Sequence, residues 1–158
     1  MSDMPTTHIR AAARVVVLDQ DDRILLLRYD EGNGVFWATP GGALEPGETH
    51  VQAAVRELHE ELGVEAVEIG FEIATRAKEH VINGELTRQV ERYFVARVPA
   101  GEVNPSRATQ TDDILAWQWW SLSELGATHQ TVYPLGLTGL VQRFLMDGPP
   151  SHPAVLEG

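Results

Sequence analysis

Three glutamates lie close together in one short segment of this 158-residue chain. The segment is GETHVQAAVRELHEELGV, residues 47 to 64, and it places Glu57, Glu60 and Glu61 one, three and four residues apart. On a helix such residues are surface neighbours, and each like-charged pair costs about 0.2–0.5 kcal/mol. Bound Mg²⁺ or Mn²⁺ would compensate this repulsion, because both ions prefer oxygen ligands such as carboxylates.

An acidic helix face is more often simply solvated, and the sequence around the glutamates argues for the metal-binding alternative. The preceding loop, PGGALEPGE at 40 to 48, is rich in glycine and proline. Thr49 and Gln52 match a capping box and Gly63 is typical of a helix end, which predicts a helix over 51–62. The start of such a helix attracts anionic ligands.

The same segment contains apolar residues at helical spacing: Val51, Val55, Leu58 and Leu62. At about 100° per residue they form a stripe roughly 60° wide, which we expect to pack on the core. The mean direction of the three glutamates lies roughly 150° from this stripe. The pattern therefore predicts that the glutamates point away from the core.

The amino-acid composition limits the class of protein to which this chain can belong. A chain with 43% hydrophobic and 22% charged residues matches one globular domain, and it contains no cysteine for disulfides or thiolate metal sites. The beginning MSDMPTTHIR lacks the apolar core of a signal peptide, so we expect a cytoplasmic protein without a membrane span. A net charge of −11 without a basic stripe argues against binding a long nucleic acid, but allows a small anionic substrate bridged by cations. A homodimer is compatible with the sequence, which does not decide the oligomeric state.

Hydrophobic and turn patterns predict one continuous domain over 8–146, with flexible ends at 1–7 and 147–158. Asn83 and Gly84 predict a hairpin, and SLSE at 121 to 124 is a second capping box. Apolar residues at helical spacing predict a last helix within 135–146. The predicted strands are 9–18, 23–29, 34–39, 67–80, 86–98 and 114–120.

The glutamate segment resembles the Nudix box. From Gly42 the chain reads glycine, five residues, Glu48, seven residues, and then RELHEELGV at residues 56 to 64. The flanking WATPGG and WQWWSLSEL are also similar to that family. The resemblance implies an α/β/α sandwich around a mixed sheet. It also implies metal-dependent hydrolysis of a nucleoside diphosphate linked to another moiety, with Mg²⁺ or Mn²⁺ as the cofactor.

By motif position the resemblance also implies roles for individual residues. Glu57 and Glu61 are the expected principal metal ligands, and Glu60 is a further ligand or the general base. The Gly41 carbonyl is an expected backbone ligand. Glu57 and Glu60 could exchange roles, because branches of the family differ in the carboxylate that deprotonates water. The remaining box residues, Arg56 and Glu48, are expected to pair and hold the loop on the helix.

Some members of the family use another acid from outside the box, often in the loop before the late strand. Asp112 and Asp113 occupy that place here, and a polar start to the strand is the alternative explanation. Glu91, within QVERYFVARV, is a second candidate, although strand alternation could point it at solvent. Trp37, just before the glycine loop, is predicted at the rim as a base-stacking residue, with Arg28 as another substrate contact. We expect Trp120 in the core.

The sequence leaves the substrate open. The ADP-ribose and diadenosine-polyphosphate branches often have a proline or tyrosine a short way after the box. Here no proline lies between Pro46 and Pro99, and no tyrosine between Tyr29 and Tyr93. A nucleoside triphosphate, an ADP-sugar or a non-nucleotide diphosphate fits the motif equally. The alternative to an enzyme is a nucleotide-sensing module on the same fold, but such modules usually lose box residues, and all are present here.

Overall fold

The computed structural model describes residues 8–32, 34–111 and 113–158, so the prediction of a flexible segment at 1–7 lies outside the described residues. The helices are α1 (His50–Leu62), α2 (Leu122–Ala127) and α3 (Leu137–Asp147). Two short 3-10 turns, Ala100–Glu102 and Pro105–Arg107, follow the central hairpin. The strands are β1 (His8–Leu18), β2 (Ile24–Asp30), β3 (Val35–Ala38), β4 (Gly41–Ala43), β5 (Glu72–Ile82), β6 (Glu85–Arg97), β7 (Ala116–Trp120), β8 (Thr131–Tyr133) and β9 (Ala154–Leu156).

The strands form one mixed sheet. Its order is β8-β3-β2-β1-β6-β5-β9, with β4 paired to β1 and β7 paired to β2. β1 runs parallel to β6 from His8 to Leu18, whereas β5 and β6 form the antiparallel hairpin that Asn83 and Gly84 predicted. At that turn both residues have positive φ, as a tight hairpin connection requires.

Alternation along the central strands gives the sheet two apolar faces. Val15 and Val17 of β1 pack with Leu58 and Leu62 of α1 on one face. On the other face, Val16 packs in a cluster that includes α2 and α3 residues such as Leu125 and Leu140. Side chains that alternate between the faces of a strand produce this division. The sheet therefore lies between helices on both sides, which confirms the predicted α/β/α sandwich.

Helix α1 has the predicted ends but not the predicted face. The Thr49 and Gln52 capping box is present, and Gly63 ends the helix with φ of 67°. Val51 and Val55 are 45% and 36% exposed, in contrast to the predicted apolar stripe. The helix packs against β1 and β4, where close approach favours small side chains on its inner face. The buried residues of α1 are Ala53, Ala54, Leu58 and Leu62.

The C-terminal segment differs from the predicted flexible tail over 147–158. Asp147 is the last residue of α3, and Ala154–Leu156 forms β9 parallel to β5. The segment between α3 and β9 is rich in proline and glycine, which suggested a flexible tail. Backbone pairing of β9 with the open edge of β5 instead gives this end of the chain a regular structure. Across the described ranges, no helix is both long and apolar enough to cross a membrane.

Candidate active site

The glycine loop brings the main chain of β4 against β1 and α1. Gly41 has φ of +136°, and a Cβ at this position would lie 2.1 Å from the Ala13 carbonyl oxygen. A Cβ on Gly42 would lie 2.5 Å from Oε1 of Glu57. At Gly41 the positive φ and the main-chain contact leave room only for glycine, whereas at Gly42 a Cβ would displace the end of the Glu57 side chain. The loop therefore lies directly against the first of the three glutamates.

Glu61 faces this loop instead of pointing away from the core. Its Oε1 accepts a hydrogen bond of 2.9 Å from the Gly41 N–H, and its Oε2 accepts one of 3.3 Å from the Tyr29 hydroxyl. Burial raises the pKa of Glu61 to about 7, and the nearby Glu57 charge adds to this effect. The predicted direction of the glutamates is therefore corrected for Glu61, because α1 docks through its alanine face.

Arg56 connects the loop to the glutamates. Its Nε and Nη2 donate to Glu48 at 2.8 and 2.9 Å, and Nη2 also donates to the Ala43 carbonyl at 3.1 Å. These contacts show the pairing expected from the sequence, and hydrogen bonding to Arg56 lowers the pKa of Glu48 to about 2. Nη1 lies 3.1 Å from a carboxylate oxygen of both Glu57 and Glu60, which reduces their mutual repulsion.

The donor atoms around the three glutamates are carboxylate and carbonyl oxygens. Among residues 8–32, 34–111 and 113–158, no three His, Cys, Asp or Glu side chains are arranged as a ready metal-ligand group. The oxygen-rich donors do match the chemistry of Mg²⁺ or Mn²⁺. Burial also raises the pKa of Glu57, so its charge, like that of Glu61, gains from a bound cation. In this structure Glu57 and Glu60 bind the Arg56 guanidinium, so a cation held by these carboxylates would take the place of that partner.

The glutamates line one of two adjoining cavities. A cavity of about 520 Å³ is bordered by Glu57, Glu60, Glu61 and Asp113. A second cavity of about 760 Å³ lies over the β1, β5 and β6 part of the sheet. The two cavities share the lining residues Arg10, Tyr29, Gly42 and Ala43. A ligand can therefore reach from the glutamates into the larger cavity.

The loop before β7 places Asp113 at the cavity lined by the glutamates. The Glu60 carbonyl oxygen accepts hydrogen bonds from the N–H groups of Thr109 and Gln110, at 2.8 and 2.9 Å, which tie the loop to α1. Asp113 is exposed and borders the same cavity as the three glutamates. Its neighbour Asp112 lies outside the described residues. The position of Asp113 is compatible with the predicted catalytic role, which stays a prediction.

Glu91 is buried between two arginines and does not point at solvent. It is 4% exposed, and it binds Arg14 Nε at 2.6 Å and Arg76 Nη1 at 3.2 Å. Arg14 Nη1 in turn donates to the Gly41 carbonyl oxygen at 2.9 Å, the atom predicted to bind metal. Glu91 therefore acts on the glycine loop through Arg14. A lone arginine in the apolar run AAARVVVL was the available signal for such a buried partner.

The structure corrects both predicted substrate contacts. Trp37 is 5% exposed, packs edge-to-face on Trp120 and donates to Gln130, so it belongs to the core and not to the rim. Arg28 pairs with Trp37 across β2 and β3, and alternation places both on the face away from α1. Arg28 lines neither cavity. The sequence could not give the phase of alternation in the four-residue β3.

Four other aromatic residues line the larger cavity instead: Tyr29, Phe36, Tyr93 and Tyr133. Tyr29 stacks on Phe36 with ring centroids 5.6 Å apart, and Tyr133 meets Phe36 edge-on at the same distance. Arg76 lies 5.5 Å from the Tyr133 ring centroid. These rings offer a flat surface to a base or another planar group. None of the four was among the site residues predicted from the sequence.

Comparison with known proteins gives a consistent result. A family model described as the NUDIX domain matches residues 8–136. An RNA pyrophosphohydrolase of Pelagibacter ubique is 24% identical over 125 residues, covering 74% of this chain and 79% of that protein. The E. coli dihydroneopterin triphosphate pyrophosphohydrolase has a similar fold, with a TM-score of 0.67, 22% identity and coverage of 90% and 99%.

A NUDIX hydrolase from Nitrosomonas europaea is also similar in structure, with a TM-score of 0.71 and 18% identity. That comparison covers 96% of this chain and 81% of the other. At these identities the solved structures support the fold, whereas the family model spans most of the chain and includes the glutamate segment. The chain therefore belongs to the Nudix family of pyrophosphohydrolases, as its Gly42 to Val64 motif predicted.

Proposed function

We propose that this protein hydrolyses a pyrophosphate bond in a nucleoside diphosphate linked to another moiety, with Mg²⁺ or Mn²⁺ bound in the cavity lined by the glutamates. One observation carries the proposal. The cavity lined by Glu57, Glu60, Glu61 and Asp113 adjoins a larger cavity that has aromatic and cationic walls, and the two share four lining residues. A pyrophosphate can lie in the acidic cavity while the rest of the substrate occupies the larger cavity.

In this mechanism each carboxylate has a defined task. Glu57 and Glu61 would hold the divalent cations, which would supply charge neutralisation and lower the pKa of a bound water. Glu60 would complete the ligand set or act as the general base, and Asp113, which borders the same cavity, would add a further carboxylate. Arg56 keeps Glu48 and the Ala43 carbonyl in place, so the loop stays against the helix while Glu57 and Glu60 change partners.

The glycine loop fixes the approach of the substrate. Glu61 accepts from the Gly41 N–H and Arg14 donates to the Gly41 carbonyl, so Gly41 is held through both of its main-chain polar groups. The Tyr29, Phe36 and Tyr133 rings are the proposed contact for the planar part of the substrate. Gly42, which has no side chain, lets the loop lie directly against the Glu57 carboxylate.

The nature of the substrate beyond its pyrophosphate is open. One relative is named for RNA and one structural neighbour for dihydroneopterin triphosphate, and neither name decides the substrate of this chain. Nucleoside triphosphates, ADP-sugars and 5′-triphosphorylated oligonucleotides are all candidates. A non-nucleotide diphosphate is disfavoured by the aromatic wall of the larger cavity.

A substrate panel with Mg²⁺ tests the proposal. The panel contains these candidates, and released phosphate, pyrophosphate and nucleoside monophosphate are measured for the wild type and for Glu57→Gln. We expect turnover of at least one nucleotide and a fall of at least about 10²-fold in the variant. A ligand that binds without any product release would instead support the sensing module.

A further inference from the structure

The larger cavity has a charge opposite to that of the protein as a whole. The chain carries a net charge of −11 with 12 lysines and arginines. Four of these cations, Arg10, Arg14, Arg76 and Lys78, line this one cavity, against two carboxylates, Glu31 and Glu91. Because Glu91 is already paired with two of the arginines, the cavity retains an excess of positive charge. Such a surface attracts anionic groups.

The sheet arranges these cations in rows across three strands. Gln89 of β6 pairs with Arg10 of β1 on one side and with Lys78 of β5 on the other. The row containing Arg14 lies four residues away along β1, which corresponds to about 13 Å at the rise of a strand. Arg14 is also the β1 partner of Gly41. Arg10 also borders the cavity of the glutamates, and the Leu44 N–H of the glycine loop donates to the carbonyl of its neighbour Ala11, so the row begins beside the loop at Arg10 and ends two strands away at Lys78.

Between these two rows lies Arg76, whose charge is only partly satisfied. It is 9% exposed, and its Nη1 binds Glu91 at 3.2 Å. Its buried Nε has no hydrogen-bond partner within the described part of the chain. An unpaired buried donor costs free energy unless a ligand or water satisfies it. Arg76 thus continues the cationic surface from the loop toward Lys78.

We propose that the Arg10–Gln89–Lys78 row, supported by Arg76, is a subsite for a second phosphate group of the substrate. This group is attached to the nucleoside on the side away from the scissile pyrophosphate, as a 3′-phosphate monoester or a 3′-phosphodiester. The inference rests on the proposed function for the placement of the pyrophosphate at the glutamates. The subsite favours substrates that carry this second phosphate, because a nucleoside diphosphate without it has no anionic group to place at Lys78.

The subsite is tested by the binding of product-like nucleotides, measured in EDTA so that no hydrolysis takes place. Isothermal titration compares AMP with adenosine 3′,5′-bisphosphate, which differs only by the second phosphate. We expect the bisphosphate to bind at least about fivefold more tightly, with the difference shrinking at high salt. Lys78→Gln should remove most of this preference, and since Lys78 is exposed the variant should fold normally.

The matched control is Arg88→Gln. Arg88 lies on β6 next to Gln89 but on the other face of the sheet, 3.9 Å from Glu79, so its loss should leave the preference unchanged. A third titrant, the dinucleotide pApA, separates a diester from a monoester source of the phosphate. Tighter binding of either extended ligand, lost in Lys78→Gln, supports the subsite. Equal affinities for all three ligands, or a preference that survives Lys78→Gln, would overturn it, whether or not the substrate panel shows hydrolysis.

Discussion

Replacing Glu61 with glutamine separates the metal-binding role of this residue from its role in stability. The structure buries the carboxylate and raises its pKa from 4.5 to about 7. Because one pKa unit corresponds to about 1.4 kcal/mol, ionising Glu61 in the metal-free fold costs at most roughly 3 kcal/mol. Glutamine removes this cost and keeps an oxygen that can accept from the Gly41 N–H. In EDTA at pH 8, Glu61→Gln should therefore be more stable than the wild type by about 1–3 kcal/mol.

The pH dependence has a defined sign. A carboxyl group whose pKa is raised on folding binds its proton more tightly in the native state, so wild-type stability falls as pH rises from about 4.5 to 7. The advantage of the variant should therefore be small at pH 5 and largest at pH 8. Urea unfolding in EDTA at the two pH values measures it. An advantage that does not change with pH, or a destabilised variant at pH 8, would refute the burial argument.

Three further substitutions test other parts of the site. Gly42→Ala should lower the maximal rate at least about tenfold with little loss of stability, because the new Cβ would lie 2.5 Å from Glu57 Oε1. The control Gly126→Ala should leave the rate unchanged, because no atom lies within 4 Å of a Cβ at that position. Glu91→Gln should lower the free energy of unfolding, measured in urea, by about 3–5 kcal/mol, because it leaves two arginines without their shared carboxylate. A decrease below about 1 kcal/mol would contradict a stabilising role of these buried ion pairs. Asp113→Asn should lower kcat far more than it raises KM, while kcat of the exposed control Asp21→Asn should stay within a few-fold of wild type. Equally small effects of both substitutions on kcat would show that the box glutamates work without Asp113.

The sequence predicted those features that depend on neighbouring residues. Thr49, Gln52 and Gly63 set the ends of α1 through local hydrogen bonds and a left-handed residue, so the predicted and observed boundaries differ by one residue. The hairpin at Asn83 and Gly84 has a similarly local cause. The family motif also predicted the Arg56 and Glu48 pair, which the structure contains.

Features that depend on distant parts of the chain were not predictable in this way. The buried face of α1 is chosen by the close approach of β4, which favours Ala53 and Ala54 over Val51 and Val55 although the valines are more hydrophobic. Glu91 and Arg14 are 77 residues apart, and only the parallel pairing of β1 with β6 brings them together. No local pattern encodes such a contact.

Binding of Mn²⁺, followed by electron paramagnetic resonance, tests the central claim most directly, because it reports on the glutamates without requiring the substrate. The wild type should bind the ion, and the Glu57→Gln and Glu61→Gln double variant should lose most of this binding. A control that replaces the exposed Glu79 and Glu85 should bind like the wild type. Equal Mn²⁺ binding by the wild type and the Glu57/Glu61 variant, with both folded, would contradict the assignment of the metal site to α1.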